Sequence, residues 1–254
     1  MYEANCYRKS FLSQVIAKID FASPLSIGKS VPPKLVKAIL RHFEIVEPPQ
    51  QLQNHEVIVN DGGVQTKQTT VDQWSYFSKD RGRQLVLSPP AMFINYSKYT
   101  TYEETEEHFG AVVDALLKNF PDTMVARFGL RYINQVEIDL PNPTKWNDYI
   151  AESLLANRSF LRDEEEIARL INIMELNYGE IGVRFQYGMP NPDFPATIKR
   201  PFFVLDFDAY VNQAHALTDV LPNMALAHGL IQDLYERSIT DKLREKMDAR
   251  PVQQ

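Results

Sequence analysis

The chain has 254 residues, of which 44% are hydrophobic and 24% charged, and this composition is typical of folded globular proteins and excludes a disordered chain. Its 27 Lys and Arg against 33 Asp and Glu give a formal net charge of −6, so no overall positive field attracts nucleic acid. The single cysteine, Cys6, excludes an internal disulfide and a multi-cysteine zinc site.

The sequence also bears on the compartment. The first residues, MYEANCYRKSF, contain no long apolar run, and 18 consecutive apolar residues occur nowhere. Neither a secretory signal nor a membrane span is therefore predicted. A protein of the reducing cytoplasm, without a membrane partner, is the simplest expectation.

Residues 7–22 are rich in β-branched and aromatic side chains and predict a long strand. A short helix with proline in its first turn follows in LVKAILRHF. Several strand-like runs come next, and the turn residues 79–82 predict a hairpin between two of them. Thr101 and Glu104 have capping-box spacing, which predicts the start of an amphipathic helix that ends before Pro121.

From Met124 the same order of elements is predicted again. The strand MVARFGLRYINQVEI leads to a helix capped by Thr144, then to a strand pair and to the strand RPFFVLDFDAYV. Segment 164–176 also fits helical spacing, but the parallel with the first half of the chain and the turn NYGE after it favour a strand. A closing helix of about 25 residues is predicted over 222–247, with a break or a second cap near Ser238.

The halves 1–122 and 123–254 thus share an order of elements, offset by roughly 115 to 120 residues, which favours a pseudo-duplication packed as one compact unit. The alternative, that only the order of elements is alike, stays open. Hairpins rather than strand–helix–strand crossovers join the strands. The predicted fold class is therefore α+β, with a mainly antiparallel sheet and helices on one face.

SPLSIGKS, residues 23–30, mimics the end of a phosphate-binding loop through Gly28, Lys29 and Ser30. Serine stands where the first glycine of that loop belongs, and two prolines stand where the phosphate-binding helix begins. The expected antiparallel sheet also differs from the parallel sheet of such proteins. An NTPase that uses this tripeptide is therefore kept only as a third hypothesis.

Polar side chains alternate along three predicted strands. Arg127 and Arg131 project from one face of the strand that starts at Met124, and Asn134 projects from the other. These side chains form either cross-strand ion pairs on a solvated sheet face or a surface for a polar or anionic ligand. The candidate ligand-binding residues are Arg127, Arg131, Asn134, Arg184, Asp206 and Asp208.

Asp206 and Asp208 share one face of their strand and also raise the alternative of a metal-dependent hydrolase or nuclease. No third ligand stands at a characteristic spacing from them. The five histidines lie far apart, without metal or catalytic spacing, and are expected on helix surfaces or in loops. No catalytic residue, metal ligand or cofactor is therefore assigned.

Two surfaces are predicted to meet partners. Lys79, Arg81 and Arg83 form a small basic hairpin tip, the one local patch where nucleic acid is expected to bind if the protein binds any. The closing helix carries an apolar stripe that packs on its own sheet or, like an exposed sheet edge, seals a two-fold homodimer. The stripe consists of Leu226, Leu230, Leu234, Ile239, Leu243 and Met247.

Three segments carry a family resemblance: YRKSFLSQVIAKIDF, RFGLRYINQVEI and LDFDAY with LIQDLYERSITDKLREKM. Together they resemble a sporadically distributed bacterial family of uncharacterised proteins about 250 residues long, across essentially the whole chain. The resemblance implies no catalytic residue, and the patchy distribution of the family is similar to that of phage-defence and toxin–antitoxin components. The leading hypothesis is a non-enzymatic module that binds a protein partner or a small polar or anionic ligand.

Overall fold

The computed structural model of the chain describes residues 5–60, 63–162 and 166–251. The strands are β1 (Asn5–Tyr7), β2 (Leu12–Phe21), β3 (Ile45–Val46), β4 (Gln50–Asn60), β5 (Gly63–Phe77), β6 (Arg83–Leu87), β7 (Ala91–Tyr96), β8 (Met124–Glu137), β9 (Leu170–Tyr178), β10 (Ile181–Met189), β11 (Phe202–Val211), β12 (His215–Ala216) and β13 (Ala249–Pro251). The helices are α1 (Pro33–Ile39), α2 (Tyr102–Asn119), α3 (Glu152–Leu155), α4 (Val220–Ser238) and α5 (Asp241–Lys246). These elements confirm the α+β class and its large antiparallel sheet.

The chain divides into two compact units, and β2 and β8 contribute residues to both. Unit 1 consists of Met1–Val15, Leu130–Val211 and Met224–Gln254. Unit 2 consists of Ile16–Gly129 and Asn212–Asn223. The main boundary between the units therefore follows Gly129, and both units are discontinuous in sequence, unit 1 with three segments and unit 2 with two.

The predicted pseudo-duplication is not confirmed, and the helix expected from Thr144 through Leu154 is reduced to the four residues of α3 (Glu152–Leu155). Residues 141–149 form turns instead, and the backbone N–H and the hydroxyl of Thr144 both donate to Asn142 Oδ1, at 3.0 and 2.9 Å. The Trp146 indole N–H donates to Pro143 O at 3.0 Å. A side chain that hydrogen-bonds the backbone two residues later stabilises a turn in competition with a helix, so helical spacing alone misleads here.

In unit 2 the strand order is β3-β5-β6-β7-β2-β8, and β4 pairs with β5. The predicted hairpin is confirmed, because β5 and β6 pair antiparallel from Trp74 opposite Leu87 to Phe77 opposite Gln84. The sequence Asp61-Gly62-Gly63 predicts a turn after β4, and its residues 61 and 62 lie outside the described residues. Trp74 and Tyr76 are buried in the core of the unit.

Helix α2 covers part of the core of unit 2. As predicted, Thr101 caps it, since Thr101 Oγ1 accepts the Glu104 N–H at 3.2 Å. The apolar face of α2 is buried, and Phe109 packs against Phe128 of β8 with ring centroids 6.2 Å apart. The cap fixes the start of the helix and thereby places the Glu104 side chain near β6.

In unit 1 the strand order is β2-β8-β11-β10-β9. The strand interpretation of segment 164–176 is confirmed for the residues in β9, while residues 163–165 lie outside the described part. Helix α4 packs on one face of this sheet. The Tyr132 hydroxyl lies 3.0 Å from His228 Nδ1, and the Tyr235 ring meets the Phe207 ring edge-on at 6.4 Å.

The closing helix is divided, as the spacing near Ser238 indicated. The second cap is Thr240 rather than Ser238, because Thr240 Oγ1 accepts the Leu243 N–H at 3.4 Å. The Ser238 hydroxyl instead donates to Leu234 O at 2.7 Å. Among the described helices, none has the length and apolar character that a membrane crossing requires.

The apolar stripe of the closing helix is mostly buried within one copy of the chain. Leu234, Ile239, Leu243 and Met247 are buried, whereas Leu226 is 61% exposed. Of the two interpretations of the stripe, this burial favours packing within its own chain, and a homodimer stays a prediction.

Candidate functional site

The polar sheet face of unit 1 consists of ion pairs. Arg131 donates from Nε and Nη2 to the two carboxylate oxygens of Asp206, at 2.8 and 2.6 Å. Arg184 pairs with Glu175 at 2.9 Å across the β9–β10 ladder. The hydrogen bonds that Arg131 donates to Asp206 raise the pKa of the Arg131 guanidinium, against the effect of burial. Of the two interpretations of this face, these contacts favour cross-strand ion pairing.

The other predicted ligand-binding residues are spread over the fold. Asp208 lies opposite Arg184 in the β10–β11 register and shares the outer face with Asp206. Asn134 is buried on the opposite face, where its amide donates to Leu205 O at 3.3 Å. Arg127 belongs to unit 2. In the part of the chain that the structure describes, no group of three or more His, Cys, Asp or Glu is placed to hold a metal ion.

The phosphate-loop tripeptide does not have the geometry of such a loop. Gly28, Lys29 and Ser30 lie in an irregular segment, and the following helix α1 begins only at Pro33. That helix has 7 residues, and its preceding Pro32 supplies no side-chain cap. The backbone N–H groups that would surround a phosphate are therefore not arranged at a helix start here.

The basic hairpin tip is balanced by carboxylates. Arg81 Nη1 lies 3.0 Å from Glu47 Oε1, and its guanidinium stands 4.8 Å from the centroid of the Phe77 ring. Arg83 Nη1 donates to Glu104 Oε1 at 2.7 Å. Two of the three cations of the tip are therefore paired with carboxylates, and nucleic-acid contact there stays a prediction.

A cleft of about 370 Å³ lies beside this hairpin turn. Basic, acidic and hydroxyl side chains all line it. The lining residues include Glu44, Ser78, Lys79, Asp80, Arg83, Lys98, Thr100 and Glu104. These residues come from the segment after α1, the β5–β6 turn, β6, the segment between β7 and α2, and the first turn of α2, all within unit 2.

Asp80 builds the wall of the cleft at the turn. Its Oδ1 accepts the Ser78 hydroxyl at 2.7 Å and the Gly82 N–H at 3.0 Å, and Lys98 Nζ lies 3.2 Å from Oδ2. These contacts, led by the Gly82 hydrogen bond, hold the pKa of Asp80 well below its usual range. A Cβ at Gly82 would approach Asp80 Oδ2 to 2.9 Å and Lys98 Cβ to 3.0 Å, so glycine permits this close approach.

Arg83 and Glu104 form the opposite wall. Glu104 Oε2 also accepts a hydrogen bond from the Thr100 hydroxyl, so both carboxylate oxygens are engaged. The capping-box prediction is thus half met: Thr101 caps the helix, while the Glu104 side chain points to Arg83. The Arg83 Nε is buried and has no hydrogen-bond partner among the described residues.

Behind this wall lies the buried imidazole of His108, a residue expected from the sequence on a helix surface or in a loop. His108 of α2 is only 6% exposed, and its ring centroid lies 4.9 Å from that of His42. Its Nε2 is 3.8 Å from Glu104 Oε1, and its Nδ1 is buried without a partner in the described residues. Burial, followed by the charges of Arg83 and His42, lowers the pKa of His108, so the ring is neutral at pH 7.

We expect His108 to make the protein less stable in mild acid. Because its pKa is lowered in the folded state, the unfolded chain binds the proton first, and stability is lost as pH falls below about 6.5. Urea unfolding at pH 7.5 and 5.5 measures this: the wild type should lose more stability between these values than His108→Gln. An equal loss in both proteins would contradict the assignment.

Comparison with protein-family models finds no match to the chain, and a search of the curated proteins finds none either. The chemistry of the cleft therefore rests on its own geometry. Two lysines and an arginine face three carboxylates, and several of the charges are held in fixed positions by hydrogen bonds. Such an arrangement can bind a small polar molecule that carries an anionic group.

Proposed function

We propose that this protein is a binding module that holds a small polar ligand with an anionic group in the cleft beside the β5–β6 turn. The observation that carries the proposal is the placement of Lys79 and Lys98 on one cleft of about 370 Å³. Clefts that bind small molecules begin at about 300 Å³. The volume therefore suits a compact ligand rather than a polymer.

Ion pairing within the cleft leaves one of its three basic side chains available to a ligand. Lys98 is held by Asp80, and Arg83 by Glu104, whereas the Lys79 ammonium has no ion pair with any described residue. The Lys79 backbone N–H donates to Glu44 Oε2 at 3.0 Å, which fixes the base of this side chain. An incoming carboxylate or phosphate would give Lys79 its partner and would share Lys98 with Asp80.

Several side chains of the cleft are already held in fixed positions without a ligand. Asp80 fixes the turn through Ser78 and Gly82, and Glu104 fixes the Arg83 side chain. Side chains that are already ordered lose little conformational entropy when a ligand binds. The ion pairs around the cleft therefore support a binding role through preorganisation.

A thermal-shift experiment with three probes tests the proposal: inorganic phosphate, succinate and AMP. We expect at least one probe to stabilise the wild type, by about 1.4 kcal/mol at ten times its Kd. The double variant Lys79→Gln/Lys98→Gln should lose most of this stabilisation.

The matched control is Lys34→Gln/Lys37→Gln, which removes the same charge from exposed lysines of α1 that do not line the cleft. It should respond to the probe as the wild type does. A stabilisation that persists in Lys79→Gln/Lys98→Gln, or that disappears equally in the control, would refute binding in the cleft.

On the family resemblance, we also propose that this module acts in the bacterial cytoplasm as an accessory of a phage-defence or toxin–antitoxin-like locus. The genes beside it in its host, and proteins recovered with it from that host, test this role. Neighbours without any defence or toxin component would contradict it.

A further inference from the structure

Strand β9 is the outer strand of the unit 1 sheet. It pairs with β10 over its whole length, from Tyr178 opposite Ile181 to Leu170 opposite Met189. Among the described strands it has no neighbour on its other side. A nine-residue edge therefore presents backbone N–H and C=O groups that another strand can pair with.

This edge lacks the features that usually prevent such pairing. The sequence LINIMELNY contains no lysine and no proline, and Ile171 and Ile173 are 45% and 48% exposed on its outer face. In unit 2, the edge strand β3 is protected, because it has two residues and is followed by Pro48 and Pro49, whereas the 11-residue β4 pairs only with β5 among the described strands. Natural edge strands that stay unpaired are typically short or carry charges and prolines, so β9 has the character of an interface strand.

We propose that β9 pairs antiparallel with β9 of a second copy of this chain, about a two-fold axis through Asn172. In this register, the numbers of any two residues that face each other across the interface add up to 344. Ile171 then lies opposite Ile173 of the second copy, and the pair occurs twice. Neighbouring apolar side chains on one sheet face stabilise strand pairing.

Charge complementarity selects the same register. Arg169, which immediately precedes β9, lies opposite Glu175 of the second copy, again twice, and would join the ion pair that Glu175 makes with Arg184 of its own chain at 2.9 Å. Arg169 is exposed, and its guanidinium stands 4.1 Å from the centroid of the Phe194 ring, without an ion pair to any described residue. Shifting the axis to Met174 would place Ile173 against Glu175 and remove both favourable pairs.

The two copies of Asn172 meet at the axis in this register. Each Asn172 Oδ1 already accepts the Asn157 amide of its own chain at 2.7 Å. A self-complementary strand with a closed two-fold arrangement favours a second copy over an unrelated strand.

Light scattering after size exclusion, across the micromolar range, tests the pairing with the full chain. We expect a mass of twice 29.3 kDa for the wild type and one chain mass for Ile173→Lys, with the circular dichroism spectrum and melting temperature of the monomer fold kept. The control Leu226→Lys, at an exposed leucine of α4, should remain dimeric. A monomeric wild type, or a dimer that survives Ile173→Lys, would overturn the proposal.

Charge exchange tests the register. Arg169→Glu and Glu175→Arg should each weaken the dimer, and the double variant Arg169→Glu/Glu175→Arg should recover part of the loss, since Glu175→Arg also removes the ion pair with Arg184 of the same chain. A double variant as weak as the single variants would overturn the register through Asn172. A wild type that is monomeric alone and dimerises only with a foreign strand peptide would overturn self-pairing. Neither result depends on the cleft of unit 2.

Discussion

Replacing Leu243 with glutamate is expected to unfold the protein rather than to dissociate a dimer. Leu243 is 0% exposed in α5, so the new carboxylate would be buried among apolar side chains. An unpaired buried charge costs at least several kcal/mol, a large part of the roughly 5–15 kcal/mol that stabilises a folded protein. Near-ultraviolet circular dichroism and urea unfolding measure the loss.

Leu226→Glu is the matched control, because this leucine lies 61% exposed on α4. It should change stability by no more than about 0.5 kcal/mol. If Leu243→Glu gives no soluble protein, Leu243→Ala measures the same burial and should cost about 2–5 kcal/mol. A Leu243→Glu protein with the unfolding midpoint of the wild type would contradict the packing of α5.

Glu236→Ala is expected to have the next largest effect on stability. The Glu236 carboxylate is 1% exposed, accepts the Tyr7 hydroxyl at 2.5 Å and lies 2.9 Å from Arg244 Nε. Removing one partner of a buried ion pair leaves the other without compensation and costs about 3–5 kcal/mol. Urea unfolding of the variant measures this cost.

Two further variants test whether the effect of Glu236→Ala comes from the buried contacts of its carboxylate. Asp233→Ala breaks an exposed ion pair with Arg237 on the same helix and should cost less than about 1 kcal/mol. Tyr7→Phe removes only the hydroxyl and should lie between the two, at about 1.5–3 kcal/mol. A Glu236→Ala protein no less stable than Asp233→Ala would show that the buried cluster does not hold β1 against α4.

The sequence predicts those elements whose signals are local. The Thr101 cap, the hairpin turn through Asp80 and the strand nature of β9 follow from residues that are close neighbours in the chain. Thr144 shows the limit of such reasoning. Helical spacing around it is real, but the Asn142 side chain holds the backbone in a turn, and only the structure shows which of these interactions prevails.

Periodicity does not predict which residues of the closing stripe are buried. The spacing of Leu226 and Leu243 marks both as members of one apolar face, yet the structure exposes the first and buries the second. The division of the helix at Thr240 changes the direction of the chain between them. Which apolar residue meets the core therefore depends on tertiary packing.

The candidate site was only partly visible in the sequence. Lys79 and Arg83 were noticed as basic residues at a turn, and Glu104 as a capping residue. Glu44 and Lys98 stand far away along the chain, and His108 alone on a helix carries no motif. Alternation along strands identified the polar face of unit 1 but did not distinguish ion pairs from a ligand surface.

Isothermal titration of inorganic phosphate, succinate and AMP into the wild type and into Lys79→Gln/Lys98→Gln tests the binding role of the cleft most directly. We expect one saturable binding event per chain for at least one probe. The double variant should weaken that binding at least about tenfold, or 1.4 kcal/mol, while Lys34→Gln/Lys37→Gln leaves it unchanged. Absence of binding by all three probes, or equal affinity in the wild type and Lys79→Gln/Lys98→Gln, would contradict the assignment of the cleft as the binding site.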